Sequence, residues 1–199
     1  MWKCLFFLFS GIIFAEQTPW INETVPGFSL DKGKLDYTEG LGAYMDLHLK
    51  VGTKNFDNGG GSHDYNTLFL KDNFGVDNFV YDPFQRSEEH NNKVLEEVKK
   101  KDFDTVTSNS VLNVIDDLKS RFNHIFLSCE SLKNHGKAYF RIYEGDGSSL
   151  PKTLDYGFQS NRSTKSYQEE VEYVFQKGNV VTDYRNHLII AYKNNDCMR

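Results

Sequence analysis

Asp57 stands two residues before the run Gly59-Gly60-Gly61, and Asp82 follows 25 positions after Asp57, at the end of a second apolar stretch. Glycine lacks a β-carbon, so a backbone built from it turns sharply and lets a ligand approach its N–H groups. A carboxylate at the end of the next strand can accept hydrogen bonds from both hydroxyls of a ribose. Together Asp57, Gly59, Gly60, Gly61 and Asp82 describe a nucleoside site. The same stretch narrows the nucleoside. Three positions after Gly61 stands Asp64, where a dinucleotide fingerprint has its third glycine, and no Gly-Lys-Ser/Thr follows to make a phosphate loop. Acidic residues beside the loop oppose phosphate and attract a cation.

Other polar residues stand where a reacting partner would lie. Asn109 and Asn113 follow the stretch "DTVTSN" and are the candidate catalytic amides, although Asn113 could equally cap the next helix. Tyr143, Gln159 and Asn161 lie beyond the next strand and are candidates for the substrate side. His63 reads as a loop residue, with a catalytic base as the alternative; Arg86 and His90 follow the second strand where an adenine or substrate could be reached, although solvated helix-start residues are the commoner case, and Asp64 reads as a helix N-cap. Three cysteines without a Cys-x-x-Cys or Cys/His spacing give no metal signature, while Cys129 and Cys197 could pair in an oxidising compartment. Asn22 and Asn161 head glycosylation sequons.

The elements that must position these groups alternate. The pattern predicts a helix over Tyr37–Leu49, a strand over 51–58 and a helix from Asp64 or Tyr65 with Leu68 and Leu70 inward. "DNFVYD" then reads as a strand closing at Asp82. Ser87 caps a helix that runs to about Lys100, with Glu88 and Glu89 in its first turn. "DTVTSN" is a third strand. A helix from Asp117 stops at Gly136, and "KAYFRIY" follows as a strand. Ser166 and Glu169 form a capping box for a helix ending near Gly178. "VVTDY" and "HLIIAYK" make an antiparallel hairpin around Arg185 and Asn186. Strands alternating with helices imply an α/β fold: a Rossmann-like, doubly wound, mostly parallel sheet with an antiparallel C-terminal hairpin.

With 199 residues, 39% of them apolar and 15% aromatic, the chain has the makings of one globular domain. Its net charge of -5 offers no long-range attraction to nucleic acid or to an anionic membrane. Residues 1–15 join Lys3, the apolar run "CLFFLFSGIIFA" and a small residue at Ala15, the pattern of a signal peptide. That run is shorter than the roughly 20 residues that span a bilayer. The predicted organisation is a signal-like segment over 1–15, an irregular lead-in over 16–34 and one domain over 35–199, with export or membrane tethering as the expected destination.

A sulfonium, an α-ammonium and a ribose are combined in S-adenosylmethionine, and the sequence resembles the class I S-adenosylmethionine-dependent methyltransferases. "FDNGGG" resembles their first motif and "VYD" the acidic end of their second strand. "DFDTVTSNSVLNVI" resembles their fourth strand with its loop, and "LKNHGKAYFRIYEG" their turn into the fifth. The resemblance covers residues 38 to 193 and looks closest to a poorly characterised bacterial branch with similar "YDPFQRSEEHN" and "VLNVI" patterns. It implies S-adenosylmethionine as cofactor, no metal, and methyl transfer to a small-molecule or protein acceptor. Three departures stand out. Asn58 replaces an apolar residue, His63 stands at a position where the family commonly has a glycine, and only 20 residues separate Asp82 from Asp102, too few for the usual strand and second helix. Export conflicts with a cytosolic cofactor, so the alternative expectation is an exported, catalytically degenerate binding module with the same fold.

Overall fold

Phe56, Val106, Phe140 and Ile189 occupy the inner positions of four strands, and all are fully buried. They mark the centre of a six-stranded sheet in the computed structural model, which describes Tyr44, Leu47 and residues 49–154 and 157–198. Its strands are β1 (Lys54–Asn58), β2 (Asp77–Tyr81), β3 (Phe103–Asn109), β4 (Leu132–Arg141), β7 (Val180–Asp183) and β8 (Leu188–Tyr192), while β5 (Lys152–Leu154) and β6 (Gly157–Gln159) form a separate ribbon. Among the described residues after Leu49 the α-helices are α1 (Tyr65–Phe74), α2 (Glu88–Val98), α3 (Leu118–Ser131) and α4 (Lys165–Phe175).

The order across the sheet is β2-β1-β3-β4-β8-β7. Strands β2, β1, β3 and β4 pair in parallel, and β8 and β7 run antiparallel to them. The chain therefore moves outward from β1 to β2 and then returns past β1 to β3. Right-handed crossovers require the two connecting helices to lie on opposite faces. They do: Leu70 of α1 packs with Tyr44 and Val76 on one face, while α2, α3 and α4 share the cluster of Phe56, Val94, Ile125 and Val171 on the other. The sheet is doubly wound, as its sequence pattern predicts. Its switch point lies between β1 and β3, where ligands of such sheets bind at the carboxyl ends of the strands.

The short Asp82-to-Asp102 interval has a structural meaning. Helix α2 alone connects β2 to β3, and no described strand pairs with the outer side of β2. Asp77 N–H bonds Thr53 O, and Tyr81 O accepts from Gly59 N. Residues 77, 79 and 81 thus address β1, and 80 and 82 face outward. Side chains of α2 satisfy that edge: His90 Nε2 meets Val80 O at 2.8 Å, and Asn91 bonds both the N–H and the C=O of Asp82 at 3.1 and 2.9 Å. The ladder that a further strand would supply is replaced by a histidine and an asparagine.

Several local expectations are corrected. Leu70 is 2% exposed but Leu68 is 37% exposed; two residues apart on a helix, they cannot share a face. Helix α2 ends at Val98 with a turn that runs on through Lys100, about where expected, whereas α3 ends at Ser131 rather than at Gly136, because Leu132 already pairs with Phe103 and residues between it and Lys137 bulge from the ladder. The capping box at Ser166 does not form. Thr164 precedes α4, and its N–H and hydroxyl both donate to Glu144, so a distant carboxylate serves the helix start. The terminal hairpin turns over Tyr184–His187, four residues rather than two, with Asp183 accepting from the N–H groups of Arg185 and Asn186. Of the helix expected over Tyr37–Leu49, the structure describes only Tyr44, Leu47 and Leu49. Segments 1–15 and 16–34 lie outside the described residues.

Candidate functional site

The glycine run leaves the carboxyl end of β1 and folds back over it. Gly59 N–H donates to Tyr81 O at 2.7 Å, closing the loop onto β2. A β-carbon on Gly60 would lie 2.5 Å from Asp57 Oδ2 and 2.8 Å from Val80 Cγ1, so only glycine fits there. Gly61 adopts φ +76°, and a β-carbon on it would meet nothing within 4 Å. Its surface is open to a ligand.

Asp57 lies beneath this loop. Tyr44 Oη donates to Asp57 Oδ2 at 2.5 Å and Thr107 Oγ1 to Oδ1 at 3.0 Å. Burial pushes the Asp57 carboxyl up, opposed by these hydrogen bonds, and burial with the neighbouring acid pushes the Tyr44 phenol well up. Asp57 is therefore buried and engaged by its own chain. On the same sheet face Asn55 bonds Asn78, Thr105 and Thr107, which continues a buried polar row along β1.

Asp82 closes β2 beside the loop. Its Oδ1 accepts from Phe84 N and Gln85 N at 2.9 and 3.0 Å, and Oδ2 accepts from Gly61 N at 3.0 Å. Burial raises this carboxyl's pKa, and the three N–H groups and the nearby Arg86 charge oppose the rise. The glycine loop and the strand-end carboxylate, predicted from sequence as partners in one site, are in direct contact.

Arg86, expected either to reach an adenine or substrate or to be a solvated helix-start residue, does neither among the described contacts. Its side chain is 4% exposed and donates to Gly61 O at 2.6 Å, to His63 O at 3.1 Å and to Asp64 Oδ1 at 2.6 Å. Asp64 consequently pairs with Arg86 and makes no side-chain cap for α1. The only local signal was one arginine in an otherwise acidic turn, "DPFQRSEE".

Asn109 ends β3 opposite the loop. Its amide approaches the Tyr44 hydroxyl, yet neither polar atom reaches hydrogen-bonding geometry with any described residue although both are buried. Such an orphaned amide is costly unless a ligand or water completes it. Asn113 is occupied instead: its Nδ2 donates to Gln159 Oε1 at 3.0 Å, its Oδ1 accepts from Tyr143 N, and its carbonyl accepts from Ser160 N. Gln159 Nε2 returns to Tyr143 O at 3.2 Å. Asn113, Gln159 and the Tyr143 backbone thus tie three loops together, and the Tyr143 ring is left 59% exposed at the rim. Asn161 turns away, donating to Leu150 O at 2.8 Å.

Helix α3 braces the same edge. Arg121 forks onto Glu170 at 2.7 and 3.2 Å and donates to Ile115 O and Asp116 O, which anchors the loop after β3. Asn58, the departure from an apolar position, donates to His124 O and Ser128 Oγ and so pins the end of β1 to α3. Ser108 Oγ meets His124 Nε2 at 2.8 Å, and burial holds that imidazole down at about 4. Among the described residues no group of His, Cys, Asp and Glu is arranged to hold a metal, and no helix is long and apolar enough to cross a membrane. Cys129 of α3 and Cys197 are joined in a disulfide.

No protein-family model matches the chain, and no curated protein matches it. Solved structures do. The chain is similar to 1,6-didemethyltoxoflavin-N1-methyltransferase of Burkholderia thailandensis, solved with 1,6-didemethyltoxoflavin and S-adenosylhomocysteine, at 14% identity over 79% of this chain and 78% of that one, with a TM-score of 0.52. A second similar structure is an S-adenosylmethionine-dependent methyltransferase of Clostridium acetobutylicum, at 11% identity over 82% of this chain and 93% of that one, with a TM-score of 0.49. At such identities the likeness is one of fold. The first of these carries that statement.

Proposed function

We propose that the chain is an S-adenosylmethionine-dependent methyltransferase acting on a small-molecule or protein acceptor. The observation that carries this reading is the contact of Gly61 with Asp82, 3.0 Å from amide to carboxylate, at the carboxyl ends of β1 and β2 beside the switch point of a doubly wound sheet. The residues fit such a cofactor. Gly61 is open to approach, Asp82 retains an acceptor position for a ribose hydroxyl, and the orphaned amide of Asn109 offers a donor and an acceptor to a zwitterionic tail or to the acceptor's nucleophile.

When bound, S-adenosylmethionine would supply an electrophilic methyl carbon on a sulfonium, with a neutral thioether as its leaving group. The protein's part is positioning. Asp82 would hold the sugar beside the open face of Gly61, Arg86 holds the loop that presents Gly61, and the Asn113–Gln159 tie with the Arg121 fork keeps the acceptor-side loops in register. The patterns "YDPFQRSEEHN" and "VLNVI" support membership of a little-characterised bacterial branch.

A second reading has one observation in its favour. The Cys129–Cys197 disulfide suits an oxidising compartment, where the cofactor is absent. Under this reading, residues 1–15 direct export or membrane tethering of a degenerate binding module. Calorimetric titration of the full chain with S-adenosylmethionine and S-adenosylhomocysteine, with Asp82→Ala as control, separates the two. Micromolar binding lost in the variant supports the enzyme. Absence of binding by a folded chain supports the module.

A further inference from the structure

An ionised carboxylate presents about four acceptor positions, and Asp82 has spent three of them on its own chain. Oδ1 takes Phe84 N at 2.9 Å and Gln85 N at 3.0 Å, and Oδ2 takes Gly61 N at 3.0 Å. Holding two ribose hydroxyls requires two open positions. One is left, on Oδ2.

Gly61 does not sit there by its own preference. The Arg86 fork grips the carbonyls of Gly61 and His63 together and closes on Asp64, while its own backbone N–H bonds Asp82 O at 3.1 Å. Gly61 is thus bonded through both its amide and its carbonyl to the 82–86 segment. A planar guanidinium can hold two carbonyls and a carboxylate at once, and it is almost wholly buried here. A lysine ammonium, a point charge, cannot reproduce that fork.

We propose that Arg86 is a specificity-determining residue that makes Asp82 a single-hydroxyl reader: a bound nucleoside is held through one ribose hydroxyl, the position for the other being filled by the Gly61 N–H. This rests on the nucleoside site proposed above. The consequence is a site that ignores one hydroxyl of the sugar. Loss of the hydroxyl that is read costs a hydrogen bond to a charged group; loss of the other costs nothing at Asp82.

The test is calorimetric titration of the full chain with S-adenosylhomocysteine and with its 2′-deoxy and 3′-deoxy analogues. One analogue is expected to bind within about threefold of the parent, and the other to lose about tenfold or more. Equal losses for both analogues, or none for either, overturn the proposal. Arg86→Lys frees Gly61 and is expected to erase the asymmetry between the analogues. Asp64→Asn, at the half-exposed end of the same ion pair, moves it in the same direction in a chain with no core change. An asymmetry unchanged in both variants removes Arg86 from the role. A folded chain that binds none of the three ligands refutes the nucleoside site itself, an outcome distinct from binding without asymmetry.

Discussion

The Tyr44 hydroxyl reaches across 13 residues to donate to Asp57 Oδ2 at 2.5 Å. The acid is thereby held under the glycine loop, close enough to Gly60 that a β-carbon there would strike it. Asp57 in turn accepts from Thr107 on the neighbouring strand, so one buried carboxyl joins the Tyr44 segment, β1 and β3. Its contribution is first to the shape of the loop.

Tyr44→Phe removes a donor from a buried acceptor and is expected to destabilise the fold by about 1–3 kcal/mol at neutral pH. Burial already raises the Asp57 pKa, and losing a hydrogen bond that favours the ionised form raises it further. A raised carboxyl pKa gives stability that is lost as pH rises, so the deficit of the variant should shrink as Asp57 is protonated in acid. Urea unfolding of both proteins across that pH range checks the sign. A deficit independent of pH would separate Tyr44 from the ionisation of Asp57.

His124 makes the opposite kind of contribution. Its folded pKa, near 4, lies below the ordinary value of 6.5, so the native state keeps it neutral where the unfolded chain would protonate it. The stability it confers is whole above pH 6.5 and drains away as pH falls toward 4, by roughly 3 kcal/mol. His124→Gln should flatten the unfolding free energy over that window, whatever it does to the baseline. An unchanged slope would assign the acid sensitivity to other groups.

Asn161 is a sequon that the fold withholds. Its side chain is 2% exposed, and its amide nitrogen is spent on Leu150 O. Expression of the chain in a glycosylating host should give no glycan at Asn161 on the folded protein, read by mass spectrometry of the peptide before and after enzymatic deglycosylation. A glycan there would mean that modification precedes folding of this loop.

Reduction of Cys129–Cys197, which closes a span of 68 residues, is expected to cost about 2–4 kcal/mol. Thermal unfolding with and without reductant measures the loss. Cys129→Ala/Cys197→Ala should match the reduced protein. Equal stability of oxidised and reduced chains would show that the tail packs on α3 without the bond.

The fold was legible because its signals are local. Alternating β-branched and aromatic residues in "DTVTSN" and "KAYFRIY", Ser87 before two glutamates, and Asp117 before an apolar helical stripe each specify an element within about a dozen residues. Ser87 does accept from His90 N as such a cap should, and Asp117, at the start of α3, accepts from Ser120 N in the same way. The glycine run and Asp82 were legible for the same reason, since a strand-end turn needs glycine and the next strand ends at a predictable distance. The local signals failed where a distant group took over. Glu144 caps α4 in place of Ser166, and pairing of Leu132 with Phe103 overrides the stop expected at Gly136.

From the residues alone follow the doubly wound sheet, the order of its elements, and the meeting of glycine loop and acid at one strand edge. The tertiary structure decided what those groups are free to do. It committed Asp57 to Tyr44 and Thr107, filled three of the acceptor positions of Asp82, buried Arg86 behind the loop, turned Asn113 and Asn161 into braces and left the Asn109 amide outside hydrogen-bonding geometry with the described residues. A residue's type and spacing state which hydrogen bonds it can make. Which ones it makes depends on groups tens of residues away, brought within about 3 Å only when the sheet closes.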